Sequence, residues 1–400
     1  MRILWIPGNG AIYNADNKYN GGGWTGALAQ ELMTRVPDLE LGMAIPWKCY
    51  FEDVKDGVKI YGIPPIKHGF ICYQRKLKRQ VEVLQNIVED FRPDLIHVFG
   101  SEHTGGMVAT VTDIPVVLHL QGILNFLKES WLPQNMSWEK YYFWNPRQWF
   151  EKRNLLRACE TEQRILSACR YLMGRTEMDK RVSRILSPNS TYYYCSEMLR
   201  LEIYNSDNVW NFHARVHHVI VSVISSPLYK GSDILLRIAN VLKIIMNIDF
   251  EWRVYGVYNL SEGERLSGIV ANDVNVNICG IVNASQLREI LMDSDVFVHP
   301  SYIDNSPNTV CEAQLIGVPV VANYVGGIPS LISNMVDGIL IPPSDIYMAA
   351  SYISELLIDR DIACRLGSAG RKTALCRHNP KVIVENVLDI YKKMISYDIQ

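Results

Sequence analysis

The sequence has no excess of charge of either sign. Lys and Arg total 40 and Asp and Glu total 42, a formal net charge of −2. That argues against general nucleic-acid binding, which needs a basic face to displace counterions from phosphate. It has no C-x-x-C pair. Its cysteines, Cys49, Cys72, Cys159, Cys169, Cys195, Cys279, Cys311, Cys364 and Cys376, are scattered and odd in number. This argues against a disulfide frame or a zinc site and for free thiols in a reducing compartment. No apolar run approaches roughly 18 residues, so no membrane-spanning helix is expected. Fixed-period repeats and low-complexity tracts are also missing. Met1-Arg2 runs straight into Ile3-Leu4-Trp5-Ile6 and stops at Pro7-Gly8. That is too short for a secretory core. The expectation is a cytoplasmic protein, at most peripheral at the inner face of the cell membrane.

What is present suits a globular α/β protein. With 400 residues, 48% hydrophobic and 20% charged, the chain is long enough for two cores. Short β-branched apolar runs alternate with longer helical patterns, the sign of parallel sheets with crossover helices. Strands are expected at 2–7, 39–44, 58–63, 94–99, 115–121, 170–173 and 191–194. In the second half they recur at 218–224, 251–256, 274–279, 295–299, 318–323 and 338–341. Helices are expected at 24–35, 72–91, 102–112, 147–167, 176–186, 231–247, 284–293, 307–317, 344–358 and 360–376. The polar stretch Tyr204-Asn205-Ser206-Asp207-Asn208 marks the break. The expected division is a first domain over 1–205, a second over 206–380, and a helix over 381–400 free to return to the first domain. Two doubly wound sheets in tandem leave a cleft between their strand C-terminal ends, where such sheets bind ligands.

The most informative segment is 299–332, HPSYIDNSPNTVCEAQLIGVPVVANYVGGIPSLI. A buried strand ends at Pro300. Asp304 sits in the loop that follows. Ser306 is placed to cap the next helix, with Pro307 in its first turn. The free amides and positive dipole end of that helix make an anion site at Ser306–Thr309, with Asn305 and Asn308 beside it. Glu312 lies about one and a half turns further in. The next strand ends at Gly326-Gly327, where bare backbone can approach a ligand. A carboxylate accepts from two hydroxyl donors. Two carboxylates flanking an anion site therefore suit a ligand with diols on either side of a phosphate, which describes a nucleotide sugar.

This segment resembles the donor site of retaining glycosyltransferase family 4, on the GT-B fold of two Rossmann-like domains. The family pattern is P-S-x-x-E-x-x-P-x-x-x-x-E-A-x-x-x-G-x-P-V-V-A-x-x-x-G-G. Pro300, Ser301, Pro307, Glu312, Ala313, Gly317, Pro319, Val320, Val321, Ala322, Gly326 and Gly327 match it in order. Asp304 stands where the family has Glu, one methylene shorter. The resemblance implies that Glu312 holds the ribose hydroxyls and that Asp304 and the amides after it hold the donor sugar. A second family pattern, G-R-L-x-x-x-K-G, places Lys230 and Gly231 at the donor diphosphate. Ser225 stands in its Arg place, with Arg215 and Arg253 as candidate substitutes.

In the first domain, Gly22 and Gly23 lie in the loop N-G-G-G-W-T-G, which in the family faces the acceptor and donor phosphates. His119 and Gln121 occupy the places of the family's T-x-H. They are expected on one face of a strand, with Gln121 able to donate to a sugar hydroxyl. Glu102 follows a strand C-terminus facing the cleft. Arg175, in GRTEMDK, and the segment CSEMLR at 195–200 resemble a subgroup of bacterial members. Arg175 is placed to meet donor phosphates or an acidic acceptor. Aromatic residues crowd 126–150, and Arg75-Lys76-Leu77-Lys78-Arg79 opens a helix. Together they suit an anionic bilayer and a lipid-linked acceptor.

The resemblance implies attack on the donor C1 from the face of the leaving diphosphate, with the proton passing to that phosphate. No general base and no metal cluster stand out in the sequence. The expected co-substrate is a UDP- or GDP-linked sugar, with no resident cofactor. The expected role is transfer to a glycan or lipid-linked acceptor in surface polysaccharide synthesis. Two alternatives stay open: another GT-B enzyme, such as a nucleotide-sugar epimerase or a phosphorylase, and a sugar- or nucleotide-binding protein that has lost catalysis.

Overall fold

A computed structural model describes residues 1–10, 23–66, 73–133, 136–144, 148–225 and 228–397. The first sheet contains β1 (Arg2–Ile6), β2 (Glu40–Pro46), β3 (Phe51–Lys55), β4 (Val58–Ile63), β5 (Leu95–Phe99), β6 (Val116–His119), β7 (Tyr171–Gly174) and β8 (Thr191–Tyr194). Their order is β3-β4-β2-β1-β5-β6-β7-β8. All neighbours pair in parallel except β3 with β4. The second sheet contains β9 (His218–Val223), β10 (Phe250–Tyr255), β11 (Val276–Gly280), β12 (Val296–His299), β13 (Val320–Asn323) and β14 (Ile339–Ile341). It is parallel throughout, in the order β11-β10-β9-β12-β13-β14. Order reverses between β1 and β5 in one sheet and between β9 and β12 in the other. Those are the places where such sheets leave a crevice.

The strands are apolar runs because both faces are covered; β5, β6, β12 and β13 are buried along their whole length. Buried polar side chains link strands inside the second sheet. The Trp252 Nε1–H donates to Ser222 Oγ at 3.0 Å, and that hydroxyl donates to Val298 O at 2.6 Å, stitching three strands.

Several local expectations need correction. β3 was not expected: FEDVK is an exposed edge strand, closed on β4 by Asp56-Gly57 with φ of 51° and 80°. Positive φ at both centres is the hairpin geometry that Asp-Gly favours. The expected helix 102–112 is a 3₁₀ helix, Thr104–Thr110. Gly105 and Gly106 there press against Ile6 and Ile165. The expected helix 231–247 is α-helical over Ser232–Asn240 and then widens into a π turn, Val241–Ile245. Strand β6 stops at His119, so His119 and Gln121 do not share a strand face.

Packing changes sides ahead of the expected 205/206 division. Cys195 and Met198 belong to the first core, while Leu199, Ile203 and Trp210 belong to the second. Trp210 Nε1 is tied to Ser294 O at 2.6 Å. The last helix, Pro380–Tyr397, does cross back. Its Ile383, Val387, Tyr391 and Met394 are buried in the first core. There Tyr391 OH meets His97 Nδ1 at 2.5 Å and Trp5 Nε1 at 3.1 Å.

Candidate functional site

The C-terminal ends of both sheets face one cavity of about 480 Å³. Of the residues singled out in the sequence, Gly23, Glu102, Gln121, Arg175, Ser225, Lys230, Asp304, Asn305, Ser306, Pro307, Asn308, Thr309 and Glu312 line it. Gly22 lies outside the described residues.

The second domain supplies the charged floor. Lys230 follows β9, and Asp304 sits in the loop after β12. Lys230 Nζ lies 2.6 Å from Asp304 Oδ2. His299, at the end of β12, places Nε2 2.9 Å from the same oxygen. A carboxylate only accepts, so that nitrogen carries the proton. Burial alone would push the Asp304 carboxyl up. The Lys230 ammonium and His299 outweigh it and hold the group far below the usual range. The Lys230 amine is also hard to desolvate, yet Asp304 keeps it charged.

The helix Asn308–Ile316 points its start into the cavity. Ser306 does not cap it: its hydroxyl donates instead to Glu197 Oε1 of the inter-domain connection. Pro307 holds the cap position, and no side chain caps the turn. The first-turn amides therefore keep their capacity for an anion. Glu312, 1% exposed, is held by a fork from Arg200, with Nε to Oε1 at 2.7 Å and Nη2 to Oε2 at 2.6 Å. Such planar two-bond pairing is what a guanidinium offers a carboxylate.

Neither substitute named from the sequence for the arginine missing at Ser225 reaches the cavity. Arg215 is spent on Asp293 and Asp295, and Arg253 on Glu251 and Asp293. None of these residues lines the cavity. Arg200 and Arg175 do. Arg175 lies 5.7 Å over the Trp24 ring, donates to Gln121 O at 2.9 Å, and approaches Glu197 at 3.9 Å. Only the last position of CSEMLR hinted at Arg200.

Three glycines act differently from expectation. Gly231, at φ 76°, lies so close to Pro300 that a Cβ would sit 2.0 Å from its carbonyl oxygen. A Cβ on Gly326 would meet Asp304 O at 1.9 Å, and one on Gly327 would meet Asn305 O at 2.3 Å. Their bare backbone serves loop-on-loop packing beneath the cavity. His119 is also displaced from the site. It is fully buried among Trp24, His97 and Phe99, and burial lowers its pKa so that it stays neutral.

Asn305 ties the domains together. Its Nδ2 donates to Gln121 O at 2.8 Å and to Asp179 Oδ1 at 2.7 Å, and its Oδ1 accepts from Thr176 Oγ1 at 2.6 Å. Glu197, Cys311 and His378 bring ligand-type atoms within 4.8 Å of one another at the same junction. Arg175 and Arg377 border that group. Their charges favour a hydrogen-bonded junction over a bound cation.

Residues 215–373 match the family described as Glycosyl transferases group 1. They form a domain of that type. They carry Lys230, Asp304, Glu312 and the helix start, while Arg175 and Arg200 come from outside that match. Alpha-maltose-1-phosphate synthase of Mycobacterium tuberculosis is 36% identical over 117 residues, 28% of this chain and 30% of that protein. N,N'-diacetylbacillosaminyl-diphospho-undecaprenol alpha-1,3-N-acetylgalactosaminyltransferase of Campylobacter jejuni is 30% identical over 112 residues. That match too spans 28% of this chain and 30% of the relative. Sucrose-phosphate synthase from Thermosynechococcus elongatus superposes with a TM-score of 0.76 at 16% identity, covering 99% of this chain and 100% of that one. The fold is therefore GT-B over both domains, whereas sequence likeness to these two relatives covers under a third of either chain.

Proposed function

We propose that the chain is a retaining glycosyltransferase that moves a sugar from a UDP- or GDP-linked donor to a glycan or lipid-linked acceptor. The observation that carries this reading is the meeting of Lys230, Arg200, Glu312 and an uncapped helix start in one inter-domain cavity. Glu312 receives the ribose hydroxyls. Lys230, Arg200 and the amides of Asn308 and Thr309 face the diphosphate, and Asp304 faces the sugar. As the C1–O bond opens, charge grows on the leaving phosphate, and these fixed donors stabilise it. Same-face attack and retention rest on the family 4 resemblance. Arg175, stacked over Trp24, closes the cavity from the first domain. The donor is a co-substrate, and no resident cofactor or metal enters the proposal.

The relatives' names support sugar transfer, and one of them names a diphospho-undecaprenol. A lipid-linked acceptor would bring the chain to the inner membrane face, in surface polysaccharide synthesis. No helix of the described residues is long and apolar enough to cross a membrane. Phe143, Trp149 and Phe150 are exposed, and the helix Tyr73–Phe91 opens on a basic run; both features support peripheral contact. Tyr141 of the same aromatic cluster is buried, and Trp131 packs on Tyr229 inside the donor cavity.

The test is thermal unfolding with UDP, GDP, ADP or buffer, on wild type and Lys230→Ala. A nucleotide at ~100 times its Kd stabilises by about 2.7 kcal/mol. One nucleotide raising the wild-type midpoint, with the rise lost in Lys230→Ala, supports the donor site. If none shifts the wild type, the reading is wrong. Ser225 favours a second reading, a nucleotide-binding protein without turnover. Transfer from radiolabelled donors separates the two.

A further inference from the structure

One wall of the inter-domain cavity is apolar and lies beside its most charged corner. Leu124, Leu127 and Trp131 supply it from the first domain, and Tyr229 from the second. The first three follow β6. Leu124 and Leu127 lie in the helical turn Leu124–Leu127, which runs on through the 3₁₀ turn Lys128–Ser130 to Trp131. Positions 124, 127 and 131 fall on one face of such a turn, and all three reach the cavity. Gly122 leaves space for that face, since a Cβ there would crowd Leu127 Cδ1 at 3.3 Å.

Tyr229 comes from the loop after β9. Its carbonyl accepts from the Tyr302 amide at 2.7 Å, which fixes the loop. Its ring meets the Trp131 ring at a centroid distance of 5.2 Å, tilted by 48°. Lys230 Nζ stands 5.1 Å from the centre of the same Tyr229 ring and 2.6 Å from Asp304 Oδ2. The apolar wall therefore adjoins the two groups assigned above to the diphosphate and the sugar. A sugar held at Asp304 has the Tyr229 and Trp131 rings as its neighbours.

Aromatic faces bury the C–H groups of a pyranose ring. The leucines are more selective, because their side chains neither donate nor accept hydrogen bonds. A hydroxyl turned toward them loses water without gaining a partner. A methyl group in the same place gains apolar contact and leaves nothing unpaired. The charged groups hold the diphosphate that every nucleotide sugar shares, so discrimination between sugars falls to this wall. Leu124, Leu127 and Trp131 also lie outside residues 215–373, the part that matches the family.

We propose that Trp131, Tyr229, Leu124 and Leu127 determine specificity for the donor's sugar, and that they select a sugar carrying a methyl group, in an N-acetyl substituent or at C6 of a 6-deoxy sugar. This rests on the donor reading of the cavity and names the sugar class within it.

The test is calorimetric titration of the full chain with matched donors, and with UDP and GDP alone as references. Two pairs report an N-acetyl group: UDP-glucose against UDP-N-acetylglucosamine, and UDP-galactose against UDP-N-acetylgalactosamine. Two report a C6 methyl: UDP-glucose against UDP-6-deoxyglucose, and GDP-mannose against GDP-6-deoxymannose. In at least one pair the methyl-bearing donor binds at least about tenfold more tightly than its partner. Trp131→Ala, at a part-exposed position, cuts that preference to about twofold, while binding of the nucleotide alone stays within about twofold of wild type. Leu124→Gln, also part-exposed, supplies a hydrogen-bond partner and narrows the preference by tightening the hydroxyl-bearing donor. No preference in any pair, or a preference unchanged in either variant, overturns the proposal. Equal loss of nucleotide and nucleotide-sugar binding in Trp131→Ala overturns it too, because the ring would then hold the domains together and not read the sugar. If neither UDP nor GDP binds the wild type, the donor reading fails and this inference with it, a result distinct from binding without preference.

Discussion

Lys230 Nζ lies 2.6 Å from Asp304 Oδ2, so two residues expected to grip different parts of a donor grip each other. Side chains on both sides are at most 16% exposed. Removing the cation leaves Asp304 buried with His299 as its remaining side-chain donor. Lys230→Ala is expected to lose about 3 kcal/mol at neutral pH. The sign with pH follows from Asp304, whose carboxyl is held below its unfolded value. Its contribution is present above that unfolded value, about 4, and is lost as pH falls toward the folded one. The gap in unfolding midpoint between wild type and Lys230→Ala should be widest at pH 7 and narrow on acidification. A gap that does not change between pH 7 and pH 3 would sink this account.

Arg200 and Glu312 form a closed pair of two parallel bonds. Either one alone leaves a charge with little solvent. Arg200→Ala and Glu312→Gln should each destabilise by about 3 kcal/mol, and the double variant by much less than the sum. A chemical-denaturation cycle measures the coupling. Additive losses would show that the fork contributes little. Arg200→Lys should not rescue nucleotide binding, because an ammonium cannot replace the planar fork.

How far the sequence could be read divides along one physical line. Elements whose signal is local were legible. β4 is expected at 58–63 as a short β-branched apolar run, and Val58–Ile63 is where it lies. The loop–helix carrying Asp304 and Glu312 was legible from its residue order. What depends on distant partners was not. Arg200 is 112 positions from Glu312. Ser306 has the chemistry of a cap, but its hydroxyl donates to Glu197, 109 positions away. His119 reads as a site residue from the family resemblance, yet Trp24 and Phe99 enclose it. The β3 hairpin is an omission with a local signal, Asp56-Gly57, that was there to be used.

Asn305 spans the domains with three hydrogen bonds to Gln121, Asp179 and Thr176. Burial pushes the Asp179 carboxyl up to about 6, and Asn305 opposes that rise. Asn305→Ala should therefore raise the Asp179 value further and loosen the junction by about 1–3 kcal/mol. Small-angle scattering should show a larger radius of gyration for the variant at neutral pH. An unchanged radius, with unchanged unfolding, would mean that other contacts hold the domains closed.

Gly326 is a sharper test of how the cavity floor is supported. Its φ is 54°, and a Cβ would lie 1.9 Å from Asp304 O, while the neighbouring Gly327 amide donates to that same oxygen at 2.9 Å. Gly326→Ala thus meets two costs. The left-handed backbone costs an alanine about 1–2 kcal/mol, and the overlap with a backbone carbonyl adds about 1–3 kcal/mol. Gly57 separates them, since its φ is 80° but nothing lies within 4 Å of a Cβ there. Gly57→Ala should lose only the first amount and keep the nucleotide-induced midpoint shift. Gly326→Ala should lose both amounts, displace Asp304 and with it Lys230, and forfeit the shift. Equal losses in the two variants would mean that the loop carrying Asp304 yields without strain, and that its contact with Gly326 does not position the site.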